Sequence, residues 1–160
     1  MPSSYSANIS TIISIVKKVN PRTVLDIGIG WGKYGLLVRE YLPDLAQLDG
    51  IEVWEPYVTK IQQAIYDTIL ISDVREAAIE NSYELTLLID VLEHFNRREA
   101  KQLLRRLPKP LLLATPTEWF QEDHSNPYER HRSQWKLTDF STYSFEDYSN
   151  NLSYILLIKP

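Results

Sequence analysis

The sequence predicts an α/β fold, in which a mostly parallel seven-stranded sheet carries helices on both faces and ends in an antiparallel hairpin. Short apolar segments alternate with amphipathic helical segments through most of the chain, as in parallel sheets with right-handed crossovers. Four of the five glycines fall between residues 28 and 35, directly after the first apolar segment. A strand, a glycine-rich turn and a helix form the place where such sheets bind nucleoside-bearing ligands.

The composition is that of an ordinary globular chain of 160 residues, with 44% hydrophobic and 24% charged residues. A chain of this length buries about 70% of the surface that its unfolded form exposes, so we expect one domain over residues 1–160. The absence of cysteine excludes disulfides and thiolate metal sites. We find no signal peptide and no apolar run near the roughly 20 residues that span a bilayer, and therefore expect a cytoplasmic protein.

The first elements follow from apolar residues at helical spacing. An N-terminal packing helix within residues 1–21 is predicted by the stripe Ile9, Ile12, Ile13 and Val16. Residues 24–27 predict the first strand, and residues 48–53 the second. The helix between them is predicted to face the core with Tyr34, Leu37, Val38 and Tyr41.

The middle of the chain continues the same alternation. Pro56 favours the first turn of a third helix, whose predicted apolar face is Val58, Ile61 and Ile65. Residues 68–72 and 85–90 predict strands three and four, with a helical turn at 76–79 between them. Strand four is continuously apolar, as is typical of parallel strands buried on both faces. A fourth helix is predicted by Ala100, Leu103, Leu104 and Leu107, and strand five by residues 111–114.

The end of the chain breaks this alternation. Residues 116–135 show no periodicity, and a loop of this length in a compact domain is usually a lid or a binding loop. It follows strand five at the carboxyl edge of the sheet, so we predict that it holds the molecule on which the protein acts. After a helical turn at 138–140, residues 142–148 and 152–158 predict a hairpin joined at Asn150-Asn151, residues that tolerate positive φ.

The glycine loop fits two cofactor classes. Gly30, Gly32 and Gly35 have the G-x-G-x-x-G spacing of dinucleotide folds, which leaves a nicotinamide-dependent oxidoreductase open. The first strand carries Asp26 ahead of Gly28, where its carboxylate would repel a pyrophosphate. The same carboxylate attracts a ligand with sulfonium and ammonium groups. The acidic-x-Gly-x-Gly-x-Gly pattern therefore favours S-adenosylmethionine.

The segment at residues 24–32 resembles the first motif of class I S-adenosylmethionine-dependent methyltransferases. Glu52, followed by Val53, is similar to the family's acidic residue that accepts bonds from the ribose hydroxyls. Asp73 is similar to the residue that bonds the adenine amino group, with the main-chain N–H of Val74 reaching the ring. Residues 89–95 resemble the D-V-L-E-H motif, whose residues lie beside the methionine part and the methyl group.

The resemblance implies a Rossmann-like class I methyltransferase fold with the last strand antiparallel between the fifth and sixth. It implies methyl transfer to a small or carrier-bound acceptor, whose O, N, S or C atom attacks the sulfonium methyl in line. S-adenosylhomocysteine is then the product. The cofactor contacts that it implies are Asp26, Gly28, Gly30, Gly32, Glu52, Val53, Asp73, Val74 and Asp90. Carboxylates at the tips of four successive strands are more specific than any one alone.

Two histidines are candidate general bases. His94 ends the D-V-L-E-H motif and can accept a proton near neutral pH, although Glu93 and His94 can instead cap the following helix and brace the sheet. His131 lies in a His-x-Ser-x-Trp element that resembles one at the active site of some small methyltransferases. We expect no metal, because Asp123, His124 and His131 match no compact ligand spacing.

The choice of partners is less constrained. A non-catalytic S-adenosylmethionine-binding subunit and a purely structural domain remain alternatives. A second subunit, either another copy of the chain in a homo-oligomer or a different partner, can complete the acceptor site. A nucleic-acid partner is not expected, because the net charge is −4. The only basic cluster has helical spacing opposite an apolar stripe and predicts a solvated helix face; it comprises Arg97, Arg98, Lys101, Arg105 and Arg106.

Overall fold

A computed structural model describes residues 4–80, 82–118 and 126–160. Seven strands form one sheet: β1 (Thr23–Ile27), β2 (Gln47–Glu52), β3 (Thr68–Ile71), β4 (Leu85–Ile89), β5 (Leu111–Pro116), β6 (Phe145–Asp147) and β7 (Ser153–Ile158). Their order is β3-β2-β1-β4-β5-β7-β6. The first five strands are parallel, and β7 lies antiparallel between β5 and β6. The predicted fold class and closing hairpin are confirmed, but Asn150 and Asn151 join the two strands without the positive φ that a tight two-residue turn would need.

Four α-helices pack on the two faces of this sheet: α1 (Ile9–Val19), α2 (Lys33–Tyr41), α3 (Lys60–Ile65) and α4 (Arg97–Arg106). The first three cover one face and α4 covers the other, beside Trp135 and Phe140. Successive strand residues point to opposite faces, so Val24 packs on the first layer and Leu25 on the second. Among the described residues, no helix combines the length and apolarity needed to cross a membrane.

Local sequence signals also set the helix ends. Asn96 caps α4 by accepting from the backbone N–H of Arg98 and Glu99, while the Glu99 side chain accepts from the Asn96 N–H. This capping box satisfies donors that would otherwise lack partners. It also shows that Glu93 and His94 do not cap this helix, so the capping part of that alternative for the D-V-L-E-H segment is wrong. The bracing part agrees with the hydrogen bond that Glu93 accepts from Thr115 on β5.

Several local predictions are wrong. Tyr41 and Ile61, both assigned to buried helix faces, are exposed. Pro56 lies in a separate 3-10 turn, Glu55–Tyr57, and α3 begins only after its cap at Thr59. Residues 76–79 form no helix. The short α3 turns Gln62 inward instead of Ile61, because the Gln62 side chain completes the cap with Thr59 and reaches the Gly30 carbonyl.

Candidate functional site

A cavity of about 650 Å³ opens at the carboxyl ends of the parallel strands. Its volume lies in the range of small-molecule and cofactor sites. The ends of β1, β2 and β4, the turn after β3 and residues 126–132 line it. Every predicted site residue lines this cavity except Gly32, which caps α2 at φ 77°.

Gly28 shows why the loop after β1 needs glycine. Its φ is 74°, and a Cβ there would lie 2.4 Å from Cγ2 of Val91. Its N–H donates to the Ile51 carbonyl at 2.8 Å, which ties the loop to β2. Both backbone strain and steric contact therefore exclude a side chain at this position.

Asp26 is buried beneath the loop, where its Oδ2 accepts a hydrogen bond from the Tyr66 hydroxyl at 2.6 Å. Burial raises the pKa of Asp26 to about 6, although the Tyr66 hydrogen bond lowers it. The Tyr66 hydroxyl oxygen would lie 2.3 Å from a Cβ on Gly35. The glycine that completes the dinucleotide-like spacing thus makes room for Tyr66.

Glu52 fastens the glycine loop to the end of β2. Its Oε2 accepts from the Gly30 N–H and its Oε1 from the Trp54 N–H, each at 2.9 Å. Burial raises the pKa of Glu52, and these two backbone hydrogen bonds oppose the rise. Each carboxylate oxygen keeps acceptor capacity toward the cavity, because it carries more than one lone pair.

Asp73, after β3, is held by Arg75. Its Oδ1 accepts from the Arg75 backbone N–H at 2.8 Å and from Nε at 3.0 Å, and the guanidinium also bonds Oδ2. These hydrogen bonds hold the pKa of Asp73 below its usual range. Arg75 continues to Glu99 at 2.7 Å, so the carboxylate is fixed against α4.

Asp90 follows β4 in a strained conformation, with φ 52°. Its Oδ1 is buried without a hydrogen-bond partner among residues 4–80, 82–118 and 126–160, and so is the hydroxyl of Tyr34. Both residues line the cavity. Burial raises the pKa of Asp90, while Ser4 and Lys33 lower it. Orphaned polar atoms at a cavity wall are the groups that a polar ligand would satisfy.

The histidines predicted as bases meet at the other end of the cavity. The His94 and His131 rings lie edge to face with centroids 5.2 Å apart. Nδ1 of His94 is 3.3 Å from the Arg130 carbonyl oxygen. Buried Glu93 accepts from the Thr115 hydroxyl at 3.0 Å, which braces the end of β5. These contacts bring together residues that are far apart in the sequence.

Aromatic side chains border the cavity. Trp54 contacts Tyr128 with ring centroids 6.0 Å apart, and Trp31 contacts Tyr57 at 5.6 Å. The Trp135 ring is buried and fixes the 126–135 segment. Asp123 and His124, weighed above as metal ligands, and the loop aromatics Trp119 and Phe120 lie outside the described residues.

Tyr34, Tyr66 and Arg75 line or support the site but were not predicted as part of it. The sequence pattern assigns Tyr34 only to the apolar face of α2, because hydrophobic periodicity carries no information about what its hydroxyl contacts. The pairing of Tyr66 with Gly35 depends on two helices meeting above β1 and β2. Of the three, only Arg75 could have been inferred from the sequence, because a basic residue two positions after Asp73 can pair with its carboxylate.

No protein-family model and no curated protein sequence matches this chain significantly. Solved structures do. An O-methyltransferase family protein from Burkholderia thailandensis is 17% identical, with a TM-score of 0.66 over 94% of this chain and 55% of its own. An rRNA methylase from Escherichia coli is 20% identical, with a TM-score of 0.65 over 96% of this chain and 63% of its own.

A third similar structure is the 1,6-didemethyltoxoflavin-N1-methyltransferase of Burkholderia thailandensis, solved with 1,6-didemethyltoxoflavin and S-adenosylhomocysteine bound. It is 14% identical, with a TM-score of 0.64 over 96% of this chain and 77% of its own. This chain thus spans 55% and 63% of the length of the first two structures. At these identities the likeness concerns the fold, and by that measure the chain has the Rossmann-like class I methyltransferase fold.

Proposed function

We propose that this protein transfers a methyl group from S-adenosylmethionine to a small or carrier-bound acceptor. The observation that carries the proposal is the convergence of Asp26, Glu52, Asp73 and Asp90 on one cavity beneath a glycine loop. A sulfonium and an ammonium group are cations, which carboxylates attract. A dinucleotide pyrophosphate in the same place would face Asp26, Glu52 and Asp90, so an oxidoreductase is disfavoured.

The structure of the cavity supports a division of roles among its residues. Gly28 and Gly30 let the methionine part approach the backbone closely, and Gly32 positions the helix that follows. Glu52 receives the ribose hydroxyls beside Val53, while Asp73 and the N–H of Val74 receive the adenine. Asp26 and Asp90 face the cationic methionine end. The unpartnered Asp90 Oδ1 and Tyr34 hydroxyl fit a ligand that brings its own polar groups.

S-Adenosylmethionine, when bound, supplies an electrophilic methyl group. The protein contributes alignment of the acceptor and exclusion of water, because charge is dispersed rather than created in such a transfer. His94 and His131 lie at the acceptor end and can receive a proton from an acceptor that must lose one. The segment 126–132 lines that end and gives the acceptor pocket its second wall.

The charge of this protein, rather than its structural neighbours, indicates the class of acceptor. Those neighbours include both an rRNA methylase and a small-molecule methyltransferase, so they favour neither class. The net charge of −4 and the carboxylate-rich cavity disfavour a nucleic-acid backbone. A small or carrier-bound acceptor fits the pocket better.

Thermal unfolding with S-adenosylhomocysteine or NADH tests the cofactor class. At about 100 times its dissociation constant, a ligand that binds only the folded state stabilises it by roughly 2.7 kcal/mol. We expect this stabilisation with S-adenosylhomocysteine and none with NADH. The reverse result would identify a dinucleotide site, and no response to either ligand would indicate a structural domain.

The same protein, incubated with radiolabelled S-adenosylmethionine and a panel of hydroxylated and aminated small molecules, tests catalysis. We expect label to enter an acceptor of one chemical class. Cofactor binding without transfer by the chain, but with transfer after a copurified subunit is added, would establish the partner-subunit alternative.

A further inference from the structure

Three potential metal ligands meet at the acceptor end of the cavity. Glu93, His94 and His131 each offer one ligand atom, and these atoms lie within 4.8 Å of one another. We propose that these side chains bind a divalent transition-metal ion, which in turn binds an oxygen of the acceptor. The metal site stands on its own geometry, whereas its role toward the acceptor rests on the proposed function.

The spacing of the three ligand atoms suits a single ion. Nitrogen and oxygen ligands lie about 2.0–2.2 Å from zinc, so neighbouring ligand atoms in a tetrahedral site are about 3.3 Å apart. Side-chain rotations of His94 and His131, both partly exposed, can close the remaining distance. Glu93 is buried and supplies the fixed member of the set.

The hydrogen bond of His94 prepares its ring for this role. A backbone carbonyl only accepts, so Nδ1 of His94 carries the proton that faces the Arg130 oxygen at 3.3 Å. In the neutral ring, Nε2 then holds the lone pair. Metal-binding histidines usually donate their other N–H to a carbonyl or carboxylate in this way. This contact is evidence for the site beyond the clustering itself.

Backbone bonds hold the ligand-bearing segments together. The Glu93 carbonyl accepts from the N–H groups of Arg132 at 2.8 Å and Ser133 at 3.1 Å, which fixes the residues after His131. The Thr115 hydroxyl donates to Oε2 of Glu93 and orients its carboxylate. Oriented ligands of this kind are typical of metal sites with an organised second layer of contacts.

The local charge favours a cation. Asp90 lies close enough to interact electrostatically with Glu93, and its buried Oδ1 has no hydrogen-bond partner among the described residues. Two neighbouring carboxylates repel each other at low dielectric, and a divalent cation offsets that repulsion. The cavity therefore holds two neighbouring carboxyl groups near the two histidine rings, and a bound cation would stabilise their ionised forms.

The donor set indicates the class of metal and of acceptor. Two imidazole nitrogens and one carboxylate oxygen suit Zn²⁺, Mn²⁺, Fe²⁺ or Co²⁺ better than Ca²⁺ or Mg²⁺, which prefer oxygen ligands. Three protein ligands leave at least one coordination position open, as in catalytic zinc sites. Because the ligands line the cavity, that position faces an acceptor with a hydroxyl or another oxygen donor.

Cobalt binding tests the site directly. The protein is treated with a chelator and titrated with Co²⁺, and binding is followed by visible absorption and calorimetry, with Mg²⁺ as the hard-cation comparison. We expect one equivalent of Co²⁺ to bind, with a d–d spectrum of imidazole–carboxylate coordination. His131→Gln and His94→Gln should each weaken binding at least about 100-fold. Glu40→Gln, an exposed carboxylate on α2, should leave the affinity unchanged.

Glu93 is buried, so Glu93→Gln can disturb folding. The decisive variant is therefore His131→Gln, because His131 is partly exposed. Its unfolding temperature, measured in the presence of chelator, shows whether the variant is still folded. Absence of stoichiometric Co²⁺ binding, or unchanged affinity in His131→Gln, would overturn the metal site. S-Adenosylhomocysteine affinity is measured on the same samples. If the unsubstituted protein does not bind S-adenosylhomocysteine, the proposed function is rejected, whatever the Co²⁺ result. Failure of the metal site and failure of the proposed function are therefore distinguishable.

Discussion

The two ends of the cavity differ in how their polar groups are satisfied. At the end formed by β1, β2 and β3, every carboxylate is already bonded: Asp26 to Tyr66, Glu52 to two backbone N–H groups, and Asp73 to Arg75. At the end formed by β4 and residues 126–132, the Asp90 Oδ1 is buried without a hydrogen-bond partner among the described residues.

The geometry of the first end is therefore formed before a ligand binds, whereas the second end completes its hydrogen bonds only with a ligand. The bonds at the cofactor end are short and lie on strand tips, so its geometry exists before any ligand arrives. The acceptor end joins a strand tip to a long segment. There Glu93 is held by Thr115, but the Asp90 Oδ1 gains a partner only from a bound cation or polar ligand. We therefore expect substitutions at the first end to change stability and cofactor affinity, and substitutions at the second to change which ligand is bound there.

The largest effect is expected at Gly28, where the two ends touch. Gly28→Ala places a Cβ 2.4 Å from Val91 Cγ2 at a φ of 74°. Backbone strain and overpacking together should lower the free energy of unfolding by about 2–5 kcal/mol. Urea unfolding measures this loss as a lower midpoint concentration, and we expect the m-value to be unchanged.

The double variant Gly28→Ala/Val91→Ala separates the two causes. Removal of the Val91 methyl groups relieves the contact but leaves the positive φ, so part of the lost stability should return. If Gly28→Ala alone keeps the full stability, the glycine loop can shift to accept a Cβ, and its geometry is not fixed in advance.

The next effect concerns the ribose position. Glu52→Gln should weaken S-adenosylhomocysteine binding by roughly 1.5–3 kcal/mol, because a buried charged acceptor is replaced by a neutral one. Asp49→Asn is the matched control: Asp49 is a buried carboxylate on the same strand, but it does not line the cavity. Calorimetry should show that Asp49→Asn binds S-adenosylhomocysteine with unchanged affinity. Equal losses in both variants would mean that the effect comes from the strand and not from the ribose.

The sequence predicts the cofactor end far better than the acceptor end, and the reason is geometric. Asp26, Glu52 and Asp73 stand at strand tips, which hydrophobic patterning locates, and parallel strand tips meet at one edge. The meeting of His94 with His131 depends on the path of a segment without periodicity. Spacing along the chain therefore argued against a metal, whereas the folded chain pairs His131 with the D-V-L-E-H segment. The prediction that Ile61 is buried is wrong for a related reason. The hydrogen bonds of Gln62 in the Thr59 cap decide which side of α3 faces the core, and periodicity does not reveal them.

Asp26 gives a pH dependence with opposite signs for stability and for binding. Its pKa in the folded protein is raised to about 6, so the folded state holds a proton that the unfolded state has released. The contribution of Asp26 to stability is thus present at low pH and lost as pH rises through about 6. Affinity for the ammonium-bearing S-adenosylhomocysteine should instead increase over this range, as the carboxylate ionises.

Calorimetric titrations at a series of pH values measure this rise, and Asp26→Asn should abolish it. Glu52 interacts with Asp26 and also has a raised pKa, so Glu52→Gln, titrated alongside, must keep the rise for the assignment to Asp26 to hold. A flat profile in the unmodified protein would contradict the placement of the ammonium group beside Asp26.

The smallest effect is expected from Tyr66→Phe, which removes only the hydroxyl that donates to Asp26 at 2.6 Å. A single hydrogen bond of this kind contributes about 0.5–1.5 kcal/mol to stability. Its loss also raises the pKa of Asp26 further, so the increase in S-adenosylhomocysteine affinity should move to higher pH. Tyr83→Phe, which removes a hydroxyl bonded to Asp49 away from the cavity, is the control and should leave the pH profile unchanged. If Tyr66→Phe leaves the profile in place while stability falls, Tyr66 supports the fold but does not tune the carboxylate, and the cofactor end is less pre-organised than its contacts indicate.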